Sequence, residues 1–499
     1  MRQLRYTLNT SVLVALCLVL TACDGLIDTP AVPELNVTSA DSAAALWQPI
    51  YVDSIDVTGL PDPSDPQEGL DEVRTLAGSN TSIRTWNVGA VQAWTEITCK
   101  MVAKYNVAPF AERAPDGRYT GRFLPDPQKP FASPPFAARL YAMISVAQYD
   151  ALIHTWRLKY TANRPEPATA DASIRRAAPG VAMPSWPNAD AVVARATVEI
   201  LATLYPGERA TLESLYKEAV DSRIAAGIAR RSDVIAGDSI GKRVALRVLQ
   251  RAQTDKFSAA DDQPRWRRVE PTIVTTWPRW ACEENPLRPP MLPFFGEVLP
   301  WHVADISSVD PGPPPSENDP IFKRDLDEMR SLNDNRTREQ VRIAAFWEDG
   351  AGTATPPGHW MRIAVEQTRS SGLSPVRSAR VLAYLATSQH DAAVAAWHTK
   401  YRYISARPCT VDPSIRMSAG LPNFPGYTSG HSTFSSAAAE VLSHFFPTRR
   451  ASYMAMADEA AESRIYSRIH MRIDCEVGKQ QGQAVGVAAV QRAQGDGAE

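Results

Sequence analysis

The sequence has no strong excess of either charge, because 53 basic and 55 acidic side chains leave a formal net charge of −2 at pH 7. The basic surface typical of nucleic-acid-binding proteins is therefore missing, and we expect no nucleic-acid partner. Beyond the N-terminal segment, no apolar run approaches the roughly 18 residues that a membrane helix needs. Sustained alternation of apolar and polar residues is also missing, which predicts few strands.

The N-terminal segment 1–22 has the features of an export signal. Arg2 and Arg5 precede a short apolar stretch, Ser11–Leu20, which is too short to span a bilayer. The following Leu20-Thr21-Ala22-Cys23 resembles a bacterial lipobox. That resemblance implies cleavage before Cys23, lipid attachment to its sulfur, and a soluble mature chain tethered to the cell envelope, facing the periplasm or the outside. A plain secretory signal with an incidental cysteine is the alternative.

An internal repeat at an offset of 241 residues divides the rest of the chain. Nine of 23 positions are identical between residues 138–160 and 379–401. The same offset relates Gln250-Arg251-Ala252 to Gln491-Arg492-Ala493. Similarity between two alanine-rich helices could explain the first block alone. It does not explain one offset that persists over the following segments, so we infer a duplication.

The apolar spacing in the second copy predicts helices. Val381, Leu382, Leu385 and Val394 fall near helical period in a run without proline. Further helices are predicted over Ser432–Phe446, Ala451–Tyr466 and Cys475–Ala493. We predict an all-α fold of two helical bundles related by a pseudo-twofold axis. Its parts are an N-terminal extension over 23–84, a first bundle over 85–255, a proline-rich linker over 256–319 and a second bundle over 320–499.

The duplication also separates residues that the fold requires from residues that it does not. His431 and His470 of the second copy stand opposite Asp190 and Ala229 of the first. The first copy is therefore expected to be a non-catalytic scaffold, with the functional site in the second copy. It does retain two cationic counterparts of site residues, which we interpret as vestigial or structural: Lys159 and Arg223.

Three short motifs in the second copy supply donors for a tetrahedral oxyanion. They are Lys400 with Arg407-Pro408, Pro425–His431, and Ser463-Arg464 with His470. Lysine offers a point charge and each arginine a planar fork. Ser429 offers a hydroxyl, and Gly430 lets backbone N–H groups at a helix start approach the anion. Taken singly, each motif is more often an ordinary turn or a solvated arginine; together they predict a phosphate or vanadate site.

In this order and spacing, the motifs resemble the superfamily that joins type 2 phosphatidic acid phosphatases, bacterial acid phosphatases and vanadium-dependent haloperoxidases. The resemblance covers the whole second repeat, except that Thr428 replaces the family's usual proline. It implies that His470 is the phosphohistidine-forming nucleophile or the vanadium ligand, and that His431 is the general acid/base. Asp474 is expected to orient the His470 ring, with a helix N-terminal cap as the alternative.

Several features favour the haloperoxidase branch, with vanadate as cofactor and halide and hydrogen peroxide as substrates. Asp349 resembles the acidic partner of a site arginine, here Arg464. Trp397 and Phe424 match aromatic positions of the halide pocket, with core packing as the alternative. Against this branch, Ile404-Ser405-Ala406 lacks the aromatic residues of similar enzymes. An exported phosphatase that hydrolyses phosphomonoesters is therefore the second candidate. A binding protein without turnover fits poorly, because simple binding requires neither histidine.

Few cysteines remain after the N-terminal segment. Cys409 and Cys475 lie beside the predicted site residues Arg407 and Asp474. Because an exported protein meets an oxidising compartment, a Cys409–Cys475 disulfide that braces the site is one hypothesis. Two free thiols are the alternative.

Overall fold

The computed structural model describes residues 32–124, 130–284 and 287–498. The predicted signal segment and Cys23 lie outside these residues, so lipidation stays a prediction. The described residues from Leu35 onward form one compact unit. Helices contain 60% of the residues and strands 2%, which confirms the all-α prediction. Within the described ranges, no helix combines the length and the apolarity needed to cross a membrane.

Long helices dominate the described residues. They are α1 (Ala90–Tyr105), α2 (Pro134–Ala162), α3 (Ala189–Leu204), α4 (Arg209–Ala225), α5 (Arg231–Thr254), α6 (Pro320–Ser331), α7 (Arg338–Phe346), α8 (Thr355–Ser370), α9 (Pro375–Tyr403), α10 (Gly430–Phe445), α11 (Arg450–Tyr466) and α12 (Arg472–Gln494). Shorter α-helices cover Leu70–Leu76, Ile83–Trp86, Pro167–Ala170, Gln263–Val269 and Pro408–Val411. Short 3₁₀ segments cover Ser42–Leu46, Pro206–Glu208, Phe257–Ala259, Glu270–Thr272, Phe295–Glu297, Ile306–Val309 and Pro447–Arg449.

The strands form one antiparallel hairpin, β1 (Phe110–Arg113) and β2 (Tyr119–Leu124). Phe110 pairs with Leu124 and Arg113 with Tyr119, with an irregularity between them. The hairpin connects α1 to the segment that leads into α2.

Helices in the two halves of the chain follow the offset of 241 residues that the sequence shows. α2 and α9 both contain 29 residues and begin at Pro134 and Pro375. The pairs α3 and α10, α4 and α11, and the starts of α5 and α12 obey the same offset. This agreement is what a duplicated helical unit would produce. The duplication itself and the pseudo-twofold axis stay predictions.

Side-chain contacts repeat at the same offset. Arg139 on α2 pairs with Asp255 at 2.7 Å, and Arg380 on α9 pairs with Asp496 at 2.8 Å. Each of these four side chains is buried. The repeated arginines of the sequence therefore tie each long central helix to the end of the last helix in its own half.

The two groups of helices share one hydrophobic core. α2 packs against α9, and a single cluster of buried side chains joins residues of both halves, including Trp94, Tyr149, Leu152, Tyr384 and Leu385. The main core is therefore shared, and smaller buried clusters lie within each half. The predicted domain boundaries are not tested by this packing and stay predictions.

Close packing of α10 against α12 positions the predicted site. Gly478, Gly482 and Gly486 lie one helical turn apart on α12 and face α10. A Cβ at Gly482 would lie 2.2 Å from the carbonyl oxygen of Thr433, so only glycine permits this approach. At the starts of the two helices, the Ser429 N–H donates to the carbonyl of Asp474 at 2.9 Å. This contact brings the Ser429-Gly430-His431 motif beside His470 and Asp474.

Candidate active site

A cavity of about 360 Å³ opens at the N-terminal end of α10. The predicted residues that line it are Trp397, Phe424, Gly430, His431, Arg464 and His470, with Asp349 at its wall. Lys400, Arg407, Ser429 and Asp474 lie buried behind this lining. The structure thus brings all of the predicted oxyanion set to one place.

Lys400 holds a loop instead of reaching into the cavity. Its ammonium group donates to the backbone carbonyls of Pro425 at 3.0 Å, Gly426 at 2.9 Å and Thr428. These bonds use all three donors of the group. In this arrangement the ammonium group faces the loop carbonyls that converge on the end of α9, and the oxyanion-binding role of its point charge stays a prediction.

Lys159, at the corresponding position of the first half, makes the same kind of contact. It donates to the carbonyls of Pro184 and Pro187, the latter at 2.7 Å. Arg223 likewise bonds to the carbonyl of Ile83 and the side chain of Asn87, both at 3.1 Å. Loop bracing is therefore a role of the fold that does not require a site. These contacts are with backbone carbonyls and an amide oxygen, whereas the sequence predicts vestigial residues or structural ion-pair partners.

Arg407 and Arg464 each direct an N–H group at one of the two histidines. Arg407 Nη1 lies 2.8 Å from His470 Nε2, and Arg464 Nη1 lies 3.2 Å from His431 Nε2. In both guanidinium groups the buried Nε atom has no hydrogen-bond partner. Burial lowers the pKa of each arginine to about 10, so both stay charged at neutral pH. The Nε–H groups of Arg407 and Arg464 lie beside two histidines and have no partner, so an oxyanion could accept hydrogen bonds from both of them.

His470 is held as a neutral imidazole with its lone pair on Nε2. Its Nδ1 lies 3.1 Å from Asp474 Oδ2, which also accepts the Met471 N–H at 3.1 Å, so Nδ1 carries the proton. Burial, followed by the charges of Arg407 and Lys400, lowers the pKa of His470 well below its ordinary value. The Nε2 lone pair, which accepts the Arg407 N–H here, is what a metal ligand or a nucleophile at phosphorus uses.

Both alternatives for Asp474 are therefore realised. It orients the His470 ring, and it caps the first turn of α12 through the Met471 N–H. Its counterpart Asp233 keeps the capping bond, to the Arg230 N–H at 2.8 Å, in a half that has no such histidine. Burial raises the pKa of Asp474 to about 7, and the charges of Arg407 and Lys400 oppose that rise.

His431 lies in the first turn of α10 and faces the cavity. Burial and the adjacent charge of Arg464 lower its pKa well below the ordinary value, so its ring is neutral near pH 7. A neutral imidazole takes a proton before it can give one. In the predicted acid/base role, His431 therefore acts first as a base and then as an acid.

Ser429 and Gly430 start α10. The Ser429 hydroxyl oxygen caps the helix by accepting the Ser432 N–H at 3.4 Å and its hydroxyl at 3.0 Å. A Cβ at Gly430 would lie 3.7 Å from the Phe434 ring and 4.0 Å from Trp397, in ordinary contact with the cavity wall. The first N–H groups of the helix have no partner within it, so the positive end of its dipole lies at the cavity.

Trp397 and Phe424 form an aromatic wall, with ring centroids 4.9 Å apart. The cations of Lys400 and Arg407 lie 5.2 and 5.3 Å from the centre of the Phe424 ring. Trp397 also donates its Nε1–H to the carbonyl of Met291 at 3.2 Å. Trp397 therefore lines the cavity and packs into the core at once, and the two interpretations of this residue do not compete.

Several residues that line the cavity are not among those predicted from the sequence. Phe434 follows Gly430 by four residues on α10, and this helical spacing is a signal that could have identified it. Phe131 and Leu421 come from separate connecting segments, and Pro356 lies in the first turn of α8. No local pattern distinguishes them, because only the tertiary fold brings those segments to the cavity.

The predicted Asp349–Arg464 pair is corrected. Arg464 donates to the carbonyl of Trp347 at 2.8 Å, whereas the carboxylate of Asp349 accepts from His359 Nδ1 at 3.1 Å. Asp349 has a left-handed backbone with φ of 46°. This turn directs the preceding carbonyl groups to Arg464, while the Asp349 charge still opposes the lowering of the Arg464 pKa.

The disulfide hypothesis is wrong in this structure, where Cys409 and Cys475 are both free. Cys409 Sγ lies 3.9 Å from Glu283 Oε2. Cys475 is buried at the start of α12 among Ser429 and Ser432, and burial raises its thiol pKa to about 12. The two thiols are thus held by different neighbours.

Residues 379–496 match the family model of the PAP2 superfamily. The match runs from α9 to the end of α12 and includes every residue of the predicted oxyanion set. It confirms the resemblance that the motifs show. No curated protein sequence matches the chain.

The fold is similar to those of solved bacterial enzymes. A bacterial vanadium-dependent iodoperoxidase shares 22% identity and a TM-score of 0.58, over 81% of this chain and 95% of its own. A bacterial vanadium-dependent chloroperoxidase in its holo form shares 14% identity and a TM-score of 0.52, over 76% of this chain and 96% of its own. At such identities the likeness establishes a haloperoxidase-like fold. Together with the PAP2 match, it indicates an enzyme of the haloperoxidase or phosphatase type.

Proposed function

We propose that the chain is a vanadium-dependent haloperoxidase that uses hydrogen peroxide to oxidise halide. The observation that carries this proposal is the pair of Arg–His contacts, Arg407 with His470 and Arg464 with His431, beside an aromatic wall. The donors suit a tetrahedral oxyanion, and the aromatic rings suit a weakly hydrated halide. The haloperoxidase-like fold supports the same choice.

The residues present fit vanadate. The unpartnered Nε–H groups of Arg407 and Arg464 would bind its oxygens, together with the N–H groups at the start of α10. His470 Nε2 would supply the nitrogen ligand, because Asp474 holds the proton on Nδ1. Lys400 would add positive charge from behind the loop that it braces.

Bound vanadate would supply a Lewis-acidic centre that activates peroxide toward halide. The chain's own residues would do the rest. His431 Nε2, neutral and within reach of Arg464, would take a proton from incoming peroxide. Asp474 would keep His470 in the ligating tautomer, and both arginines would offset the negative charge of the oxyanion. Trp397 and Phe424 would desolvate the halide.

A phosphatase that acts through a phosphohistidine is the second candidate. The specific observation in its favour is the cavity volume of about 360 Å³, which exceeds what halide and peroxide require and admits a phosphomonoester. The aromatic wall therefore does not exclude esters by size. The same His470 Nε2 lone pair would attack phosphorus.

A paired assay of the purified protein distinguishes the two reactions. One arm measures bromination of a phenol dye with vanadate, peroxide and bromide, and is repeated with iodide. The other arm measures hydrolysis of p-nitrophenyl phosphate without vanadate. We expect halide oxidation that depends on vanadate. Hydrolysis that vanadate inhibits, without halide oxidation, would replace this proposal with the phosphatase.

We predict that His470→Ala abolishes turnover in the active arm while the fold is retained. The ring supplies the nitrogen that ligates vanadate or attacks phosphorus, and no other donor of the site can replace it. His398→Ala is the matched control, since His398 lies on α9 outside the cavity lining. Circular dichroism and turnover are measured for both variants. Full activity in His470→Ala would contradict the assignment of His470 as the ligand or nucleophile.

The cell-envelope location is a separate proposal that rests on the segment before residue 32. Mass spectrometry of the protein expressed in a bacterium, with and without Cys23→Ser, tests it. A diacylglycerol mass on Cys23 is the expected result, and an unmodified mature N-terminus would support the secretory alternative.

A further inference from the structure

Asp349 lines two depressions of the molecule. One is the active-site cavity, which it shares with His431, Arg464 and His470. The other is a groove of about 740 Å³ between α8 and α11, here called the outer groove, which is lined by His359, Arg362, Glu366, Arg449 and Tyr453 among others. One carboxylate therefore connects the reacting cavity to a second solvent-facing surface.

His359 links that carboxylate to the outer groove. Its Nδ1 lies 3.1 and 3.2 Å from the two oxygens of Asp349. The ring stacks on Trp347 at 4.4 Å and meets the edge of Phe346 at 5.1 Å, and these contacts position it in the resting structure. Its side chain remains 18% exposed in the groove. One edge of the imidazole thus faces Asp349 while the ring as a whole still reaches water.

The proposed function creates a need for a proton, and this inference rests on that function. Oxidation of bromide follows H2O2 + Br⁻ + H⁺ → HOBr + H2O, so each turnover consumes one proton. His431 and His470 both lie beside arginines that favour their neutral forms. The aromatic wall offers no titratable group. Glu348 and Asp349 are the carboxyl groups among the lining residues, and of these two Asp349 also borders the outer groove.

We propose that His359 and Asp349 form a proton relay from the outer groove to the active-site cavity. His359 Nε2 takes a proton from groove water, and Nδ1 passes its own proton to Asp349. Asp349 then releases that proton into the cavity, to His431 or to the oxygen that leaves as water. One proton enters and one leaves. The imidazole regains its Nδ1–H form when the ring turns Nδ1 to groove water, where Nδ1 takes a proton and Nε2 gives one up.

Two charged groups that line the groove, Arg362 and Glu366, are already paired. Arg362 bridges to Glu96 at 3.0 Å, and Glu366 bridges to Arg369 at 2.9 Å. Trp347, which stacks on His359, gives its Nε1–H to Glu459 at 2.9 Å. These contacts hold the walls of the groove in place. They leave the His359–Asp349 pair as the contact that joins the groove to the cavity.

Chemical rescue tests the relay. His359→Ala should reduce kcat for halide oxidation by about 100-fold, the lower end of the range for positioned proton transfer. The KM for halide and the vanadate affinity should stay unchanged. Added imidazole, which can enter the groove, should restore the rate, and imidazoles of different basicity should restore it to different extents. His398→Ala, with and without imidazole, is the matched control.

Two further variants separate the relay from a structural role. His359→Gln can still donate a hydrogen bond to Asp349 but cannot exchange a proton, so it should lose as much rate as His359→Ala. Asp349→Asn should lose the rate without rescue by imidazole. The double variant His359→Ala/Asp349→Asn should be no slower than the slower of the two single variants, because the two substitutions act on the same proton-transfer step.

Each result is decisive. An unchanged kcat in His359→Ala overturns the relay, and so does a loss that imidazole cannot restore and that comes with weakened vanadate affinity. If the unaltered protein hydrolyses phenyl phosphate and oxidises no halide, the haloperoxidase proposal fails. The relay is then judged on hydrolysis, in which the leaving phenolate takes the proton. If the protein does neither, both proposals fail.

Discussion

At the residue scale, the site consists of two neutral histidines that each accept a hydrogen bond from an arginine. Arg407 serves His470 and Arg464 serves His431. A positive neighbour disfavours a second positive charge, and burial adds to that effect. The same arrangement leaves lone pairs on the two Nε2 atoms. An incoming oxyanion therefore meets arginines that are charged and histidines that are ready to ligate or to accept a proton.

We predict that Asp474→Asn weakens vanadate binding by roughly 10–100-fold, the usual effect of losing the group that orients a metal-ligating histidine. The amide can still cap α12, but it no longer holds the Nδ1–H tautomer of His470 by charge. Isothermal titration with vanadate measures the affinity.

Asp233→Asn is the matched control for that prediction. Asp233 occupies the corresponding cap on α5 and accepts the Arg230 N–H at 2.8 Å, far along the chain from His470. Its substitution is expected to lower the melting temperature and to leave vanadate affinity unchanged. Equal affinities for all three proteins would show that Asp474 acts only as a cap.

At the scale of elements, the site depends on how closely α10 approaches α12. Glycines one turn apart on α12 face the backbone of α10. The corresponding residues of the first half, Gly237 and Gly241 on α5, face α3 in the same way, with Cβ positions 2.5 and 2.4 Å from carbonyl oxygens. The close packing is therefore a property of the fold in both halves. In the second half it also sets the distance between the Ser-Gly-His motif and His470.

We predict that Gly482→Ala lowers the free energy of unfolding by about 1–3 kcal/mol or more, the usual effect of overpacking. The added Cβ would lie 2.2 Å from the carbonyl oxygen of Thr433 and push the helices apart. Urea unfolding measures the free energy, and the loss of site geometry should also reduce turnover.

Gly430→Ala provides the contrast. Its Cβ would make only ordinary contacts, at 3.7 Å to Phe434 and 4.0 Å to Trp397. This variant should retain its stability but lose turnover, because the methyl group projects to the cavity wall beside the oxyanion site. If Gly482→Ala is as stable as Gly430→Ala, the helix approach is less rigid than the structure indicates.

At the scale of the whole molecule, the segment between the two halves is fixed to the central helix α9. The backbone N–H groups of Trp301, His302 and Val303 donate to the carboxylate of Asp391 at 2.7 to 3.1 Å. Arg251, on the last long helix of the first half, lies 3.6 Å from the centre of the Trp301 ring. The predicted linker is therefore packed against both halves.

Acid should loosen this packing. Burial lowers the pKa of His302 to about 4, and its Nε2 bonds to the Thr387 hydroxyl at 2.7 Å. An unfolded histidine has a pKa of about 6.5, so between pH 6.5 and 4 the unfolded chain binds the extra proton. Stability is thus present above about pH 6.5 and falls as the pH drops.

The expected contribution of His302 is about 1.4 kcal/mol per pH unit within that window. Urea unfolding of the unaltered protein and of His302→Gln, at pH 7.5 and at several values down to 4.5, measures it. The variant should show the smaller loss of stability toward acid. Parallel curves would mean that His302 is protonated in the folded state.

The sequence by itself determined the helical class, the offset of 241 residues and the membership of the oxyanion set. These follow from local periodicity and from ordered motifs. His431 and His470 were identifiable because the first half lacks both histidines, and the fold alone would not supply them. The helix ends agreed within a few residues because prolines and caps act locally.

Only the tertiary structure decided how the polar groups pair. Lys400 bonds to loop carbonyls, Asp349 turns to His359, and Cys409 stays apart from Cys475. Each pairing depends on segments that are distant in sequence, and on which donor lies nearest to a carbonyl or carboxylate in the folded chain. Periodicity fixes the face on which a side chain lies. It does not fix the partner that the opposite element presents, because burial makes every polar group take the partner that the fold brings to it.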